Sequence, residues 1–164
     1  METYTVRVTK DYLVFCAAHF ISYERTQCER LHGHNYRVEA RVTAPLDENA
    51  LVLDFIELKR ILRLLTNELD HQVILPRNND LLAIEESEDS VAVRFGEQKT
   101  WIFPREDCVL LDLSNTTAEL LASHLTGRLQ GELEELGFPR PESLSVEVEE
   151  TPGQSAIFER RFEN

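Results

Sequence analysis

The strict alternation between His34 and Ala44 is the feature that most constrains how this chain can fold. Apolar side chains stand at every second position, namely Tyr36, Val38, Ala40 and Val42. The side chains between them are charged, namely Arg37, Glu39 and Arg41. A period of two places one set on a buried face and the other in water, which is typical of a half-buried strand in an antiparallel sheet.

Further strands are expected near both ends of the chain. Residues 3–18 are rich in β-branched and aromatic side chains, which predicts one or two strands. Near the C-terminus Leu144, Val146 and Val148 alternate with polar residues. The pair Pro152 and Gly153 then predicts a turn, and residues 155–161 the last strand.

Two amphipathic helices are predicted between these strands. Asp54 is the expected cap of the first, whose apolar residues fall at helical spacing: Leu58, Ile61, Leu62, Leu65 and Leu69. The second begins near Thr116, which has capping-box spacing to Glu119. Its apolar stripe includes Leu121, Leu125 and Leu136, and Gly137 and Pro139 end it.

The order of elements is ββα, a middle segment, and αββ. Strands that meet in this order predict an α+β fold, a four-stranded antiparallel sheet with both helices on one face. Residues 77–113 are predicted to be an insertion between the helices, with a hairpin formed by 91–95 and 100–103 in an otherwise irregular stretch. We expect residues 1–164 to form a single domain.

Charge narrows the classes of partner. Seventeen basic residues against thirty acidic ones give a net charge of −13, which repels phosphate backbones and argues against a nucleic-acid partner. The acidic excess lies after residue 45, so an anionic small molecule could approach the N-terminal segment; the alternative is a merely solvated acidic surface. No apolar stretch has the length of a membrane span or a signal peptide, so we expect a cytoplasmic protein without a membrane partner. The three cysteines are then expected to be reduced.

The densest chemical signal is the run CERLHGHNY, from Cys28 to Tyr36. His32 and His34 are two residues apart, so a strand puts both imidazoles on one face. Hairpin pairing would carry His19, at the end of the preceding strand, beside them. Three neutral imidazoles suit Zn²⁺. The alternatives are hydrogen-bonded structural histidines and a closed structural zinc site with Cys28 as the fourth ligand.

Two other positions carry possible chemistry. Asp70 and His71 follow the first helix, where they could form an acid–base pair or where His71 could simply be a cation favoured by the helix C-terminus. Strand parity places Glu150 on the apolar face of Val148. Its carboxylate either reaches water at the end of the strand or pairs with a fork of N–H donors on a ligand.

Taken together, these residues resemble the 6-pyruvoyl-tetrahydropterin synthase and 6-carboxytetrahydropterin synthase family. The matching stretches are CAAH at 16–19, CERLHGHNY at 28–36, LDF at 53–55, LDH at 69–71, TTAE at 116–119 and VEET at 148–151. The resemblance implies the tunnelling fold and a homo-hexamer, a dimer of trimers, with active sites at subunit interfaces. The stretch from Gln72 to Asn115 is longer than is usual in the family.

The resemblance also implies residue roles. The implied zinc ligands are His19, His32 and His34; the catalytic residues are Cys28, Asp70 and His71; and the substrate-binding residues are Thr117, Glu119 and Glu150.

The spacing of Cys28, four residues before His32, is similar to that of the carboxy-forming enzymes of queuosine and 7-deazaguanine biosynthesis. The implied reaction converts 7,8-dihydroneopterin triphosphate to 6-carboxy-5,6,7,8-tetrahydropterin, releasing acetaldehyde and triphosphate. Two alternatives stay open. One is the pyruvoyl-forming activity, which stops after loss of triphosphate. The other is a zinc-containing pterin-binding protein without activity.

Overall fold

The computed structural model describes residues 2–163, which contain eleven strands and two α-helices. The first part of the chain forms β1 (Tyr4–His19), β2 (Ser22–Tyr23), β3 (Gln27–Cys28), β4 (His32–Ala44) and α1 (Phe55–Leu69). The middle forms β5 (Gln72–Pro76), β6 (Leu82–Glu86), β7 (Ser90–Phe95), β8 (Lys99–Pro104) and β9 (Cys108–Leu111). The last part forms α2 (Ala118–Glu135), β10 (Ser143–Thr151) and β11 (Gln154–Arg161).

The main sheet has the strand order β11-β10-β4-β1-β5-β9. Its first four strands are antiparallel, and the predicted apolar positions stand side by side: Val8 pairs with Ala40, and Ala40 with Val146. One register shift interrupts β1, between Thr9 and Val14. The alternation predicted from the sequence therefore builds one continuous apolar face across the four strands.

Both helices pack on this apolar face, as predicted. Their buried residues join those of β1, β4 and β10 in a single core cluster. All five apolar positions predicted for α1 are buried in it. In α2 the predicted Leu121 and Leu125 are buried in the cluster, together with Leu129 and Leu133. Leu136 is instead 51% exposed, because it caps the helix C-terminus. Neither helix of the described residues is long and apolar enough to cross a membrane.

The main sheet is larger than the four strands expected. β5 adds to β1 in parallel through Ala17 and Gln72, and β9 adds to β5 in parallel from Val73 and Cys108 onward. The sequence gives no alternation over either strand, because short strands of this kind are continuous apolar runs. Periodicity cannot separate such runs from other buried segments.

Residues 77–113 are more regular than expected. The predicted hairpin is present as β7 and β8, and β6 completes a separate three-stranded antiparallel sheet. A second core cluster, which includes Val91, Val93 and Leu75, joins this small sheet to Phe20 at the end of β1. The rings of Phe20 and Trp101 stack with their centroids 4.4 Å apart. The segment thus packs against the end of the main sheet and also contributes β9 to it.

The helix caps agree with the sequence at α1 and differ by one residue at α2. Asp54 Oδ1 accepts the backbone N–H of Ile56 at 2.8 Å, as expected of an N-cap. At α2 the cap is Thr117 and not Thr116. Thr116 is buried, and its hydroxyl donates to the carbonyl of Phe20 at 3.0 Å. The capping-box spacing to Glu119 favours Thr116, but the contact of Thr116 with Phe20 leaves Thr117 as the cap.

Gly33 marks a close approach between β1 and β4. A Cβ atom at this position would lie 2.9 Å from the backbone oxygen of Ala17, a contact that only a shift of the strand could relieve. The glycine therefore lets the two strands stay in register where they carry the histidines.

We expect Gly33→Ala to destabilise the fold by about 1–3 kcal/mol, because the added methyl group overpacks against rigid backbone. Gly131→Ala is the matched control: nothing lies within 4 Å of its added Cβ, and α2 should gain about 0.5–1 kcal/mol. Urea titration gives the free energy of unfolding of both variants. Equal stability of the two would contradict the close approach at Gly33.

Candidate metal centre

Three histidines meet at one end of the main sheet. His19 pairs directly with His32, and Ala17 with His34, so the register of β1 and β4 places all three imidazoles on the same face. One ligand atom from each lies within 4.8 Å of those of the others. His19 is fully buried, and the side chains of His34 and His32 are 17% and 39% exposed. The cluster predicted from strand parity is present.

Hydrogen bonds fix the tautomers of two of these rings. His19 Nδ1 donates to the carbonyl of Thr116 at 2.9 Å, and His32 Nδ1 donates to the carbonyl of Arg30 at 2.8 Å. Each Nε2 is then left unprotonated, which is the arrangement found in metal-binding histidines. His34 Nε2 is buried without a hydrogen-bond partner. A metal ion at this point would satisfy that atom, so the residues fit a bound metal.

The surroundings of His19 favour its neutral imidazole. Burial lowers the pKa of His19 most strongly; the hydrogen bond to Thr116 and the charge of Glu150 raise it in part, and the neighbouring His32 and His34 lower it. Metal ions bind the neutral form of the ring. The lowered pKa of His19 therefore favours the protonation state that metal binding needs.

Glu150 turns inward to this cluster. Its Oε1 lies 3.6 Å from Nε2 of His19 and 3.6 Å from Nε2 of His34, with the side chain 24% exposed. Its neighbour Glu149 lies on the other face, where it pairs with Arg37 at 3.6 Å. The parity inferred from the sequence is present, and the carboxylate does not escape to water.

Three of the proposed site residues line one cavity. The cavity measures about 330 Å³ and is bounded by Thr117 and Glu119 at the start of α2 and by Glu150 in β10. Ile21 and the start of β11 complete its wall. The three residues expected at the substrate pocket are thus neighbours in space.

Cys28 stands apart from the histidines. It pairs with Ser22 in the short β2–β3 hairpin and packs against the second core cluster. Among residues 2–163 the grouped metal-ligand atoms are those of the three histidines and do not include the Cys28 sulfur. Burial raises the pKa of the Cys28 thiol, Lys99 lowers it and Glu29 raises it. The closed Cys-His₃ alternative thus finds no support in this arrangement.

Asp70 and His71 contact each other, 3.0 Å apart from Oδ2 to Nδ1. The backbone N–H of Cys16 donates to Asp70 Oδ1 at 2.7 Å, and this bond, followed by the contact with His71, lowers the pKa of Asp70. His71 N–H donates to the carbonyl of Cys16 at 2.7 Å, which ties the pair to the edge of β1 that pairs with β5. The His71 side chain is 82% exposed. Within the described chain, no hydrogen bond or ion pair joins this pair to the histidine cluster.

Two polar residues at the cluster were not singled out from the sequence. The hydroxyl of Tyr36 lies 3.1 Å from His19 Nε2, and burial followed by the charge of Glu150 raises the pKa of Tyr36, which keeps the phenol neutral. Glu29 Oε2 is buried without a hydrogen-bond partner, 3.9 Å from His32 Nε2. Alternation alone assigned Tyr36 to the core. Because a buried phenol needs a polar partner, its position two residues after His34 could have indicated that Tyr36 belongs to the site.

The fold and the site define a mixed α+β protein with a three-histidine candidate metal centre beside an acid-lined cavity. Residues 7–161 match the family model described as 6-pyruvoyl tetrahydropterin synthase. The chain belongs to this family, as its motifs suggested.

The similar proteins include both 6-carboxy- and 6-pyruvoyl-tetrahydropterin synthases. The chain is 31% identical over 152 residues to a putative 6-carboxy-5,6,7,8-tetrahydropterin synthase of Methanocaldococcus jannaschii, covering 92% of each chain. It is 38% identical over 112 residues to 6-carboxy-5,6,7,8-tetrahydropterin synthase of Aquifex aeolicus, covering 68% of this chain and 62% of the relative. A crystal structure of 6-pyruvoyl tetrahydropterin synthase from Plasmodium vivax superposes with a TM-score of 0.91 at 30% identity, covering 99% of this chain and 100% of the other. A further structure of the P. vivax protein carries alanine in place of a catalytic glutamate.

We expect the purified protein to carry about one metal ion per chain, and His34→Ala to lower its metal affinity by more than about a hundredfold, because one of three ligands is lost. His124→Ala is the control, since His124 lies half-buried in α2. Metal content after dialysis measures both. Full occupancy in His34→Ala and His32→Ala alike would exclude this site.

Proposed function

We propose that the protein is a zinc-dependent carbon–carbon lyase that converts 7,8-dihydroneopterin triphosphate to 6-carboxy-5,6,7,8-tetrahydropterin, releasing acetaldehyde and triphosphate. The observation that carries the proposal is the convergence of three imidazoles and Glu150 beside one cavity. It is supported by relatives named for this carboxy-forming activity and by the four-residue spacing from Cys28 to His32.

His19, His32 and His34 would hold the zinc through imidazole nitrogens. Bound zinc supplies a Lewis acid that polarises the oxygens of the substrate side chain and acidifies the adjacent C–H and O–H bonds. The hydrogen bonds of His19 and His32 to backbone carbonyls keep these rings oriented.

Glu150 orients the substrate in this proposal. A carboxylate accepts two parallel N–H donors, which matches the guanidine-like edge of a pterin ring. Thr117 and Glu119 line the same cavity and are proposed to contact the ring as well. Fixing the ring places the side-chain carbons at the groups that move protons.

Proton transfer is assigned to Cys28, Asp70 and His71. Cys28 acts as thiolate, and Asp70 holds the Nδ1 of His71 so that its Nε2 is free to exchange a proton. The exposure of His71 and its attachment to the edge of β1 support a role toward a neighbouring copy. We therefore propose a homo-hexamer, a dimer of trimers, in which active sites form at subunit interfaces.

Glu29 is a further candidate for proton transfer. It follows Cys28 directly, and its buried oxygen without a partner lies beside His32. A glutamate is named as catalytic in the P. vivax relative. The glutamates near the candidate site of this chain are Glu29, Glu119 and Glu150.

The second candidate function is 6-pyruvoyl-tetrahydropterin synthesis, in which triphosphate is eliminated and the side chain is kept. The likeness to the P. vivax synthase over nearly the whole of both chains favours it. A third candidate, a pterin-binding protein without activity, is disfavoured by the presence of Cys28, Asp70 and His71.

Mass analysis of the product formed from 7,8-dihydroneopterin triphosphate separates these functions. We expect the 6-carboxy product and acetaldehyde. Cys28→Ala should lower turnover by about a hundredfold or more, the usual contribution of a proton-transfer group, while metal content stays unchanged. A pyruvoyl product would assign the second function, and no product with tight pterin binding the third. Loss of metal in Cys28→Ala would favour a structural role for the thiol.

For Glu150 we expect Glu150→Gln to weaken substrate binding by about 1.5–3 kcal/mol, or ten- to a hundredfold, because one acceptor of a charge-assisted pair becomes a donor. Glu149→Gln, on the opposite face of β10, is the matched control and should change binding little. Pterin titration of the metal-loaded variants gives both dissociation constants. Equal effects of the two substitutions would show that the ligand does not meet Glu150.

A further inference from the structure

Lys99 links the 77–113 segment to the turn that carries Cys28. Its Nζ donates to the backbone carbonyl of Cys28 and, at 2.9 Å, to that of Glu29. An ammonium group has three donors, and two of them hold consecutive peptide carbonyls here. These bonds connect residues about seventy positions apart in the chain. A side chain of the 77–113 segment therefore holds the turn that follows Cys28.

Other contacts make this attachment rigid. Lys99 Nζ lies 5.9 Å from the centroid of the Trp101 ring, which stacks on Phe20. Asn79 Nδ2 donates to Ser22 Oγ at 2.8 Å, and Ser22 is the residue that pairs with Cys28. The β2–β3 hairpin is therefore held on both strands by side chains of the 77–113 segment.

Lys99 also sets the charge around the thiol. Two charged groups act on Cys28: Lys99 from β8, which lowers the thiol pKa, and Glu29 from the same turn, which raises it. Burial raises the pKa more than either charge changes it. Removal of Lys99 would leave burial and a carboxylate acting together against the thiolate, the form that reacts.

We propose that Lys99 is a positioning residue for Cys28, which fixes two carbonyls of the Cys28 turn and places a positive charge beside the sulfur, so that the 77–113 segment belongs to the catalytic apparatus. The proposal rests on the proposed role of Cys28 in proton transfer. It assigns a function to a segment that the reaction chemistry does not otherwise require.

The test is the reactivity of the Cys28 thiol, read by mass spectrometry of its peptide after iodoacetamide treatment between roughly pH 6 and pH 10. We expect Lys99→Met to move the midpoint of alkylation upward by about half a unit to one unit, and to slow alkylation near neutral pH about three- to tenfold. Lys99→Arg keeps the charge and the donors and should restore the midpoint. Arg94→Met is the control, because Arg94 on β7 is exposed and pairs with Glu85.

Lys99→Gln keeps a donor without the charge, and it provides a second variant should Lys99→Met fail to fold. A midpoint restored by glutamine, or unchanged in both uncharged variants, would overturn the proposal. In the substrate assay, the Lys99 variants that alkylate more slowly should also have a lower kcat, while their KM and metal content stay within about twofold of the unsubstituted protein. Full activity of Cys28→Ala would instead reject the proposed function, and alkylation would still report separately on whether Lys99 controls the thiol.

Discussion

The register of β1 against β4 is the constraint on which the rest of the structure depends. The pairs Ala17 with His34 and His19 with His32 continue the same ladder that aligns Val8 with Ala40 in the core. A slip of one residue would turn every side chain of β4 to the other face. The apolar core thus specifies the candidate metal centre as well, because both depend on the same alternation along two strands.

At one end of the sheet, the face that is apolar elsewhere carries polar side chains. Val148 and Tyr36 belong to the core, whereas Glu150, two residues after Val148, and His34, two residues before Tyr36, carry polar side chains. Buried polar groups are costly unless they are paired, and here the imidazoles, the phenol and the carboxylate face one another while His34 Nε2 has no partner. The metal and the ligand proposed above would complete this pairing.

The sequence predicted those parts of the site that depend on local periodicity. Parity placed His19, His32, His34 and Glu150 correctly, because a period of two decides which side chains share a face. It did not reveal β5 and β9, whose apolar runs lack alternation, nor the choice between Thr116 and Thr117, which follows from contact with Phe20. The sequence did not indicate Lys99 either, because the residues that it contacts are about seventy positions away. Glu29 was not singled out because only its burial distinguishes it from other glutamates.

The backbone of Cys16 connects the Asp70–His71 pair to the strand that carries His19. Its peptide group holds Asp70 and His71 at one edge of β1, and three residues further along the same strand His19 belongs to the candidate metal centre. If the acid–base pair serves a neighbouring copy, each chain takes part in two reaction centres joined by a short, regular stretch of strand. The register of β1 is uninterrupted from Val14 to His19, so in such an assembly the strand itself would set the distance between the two centres.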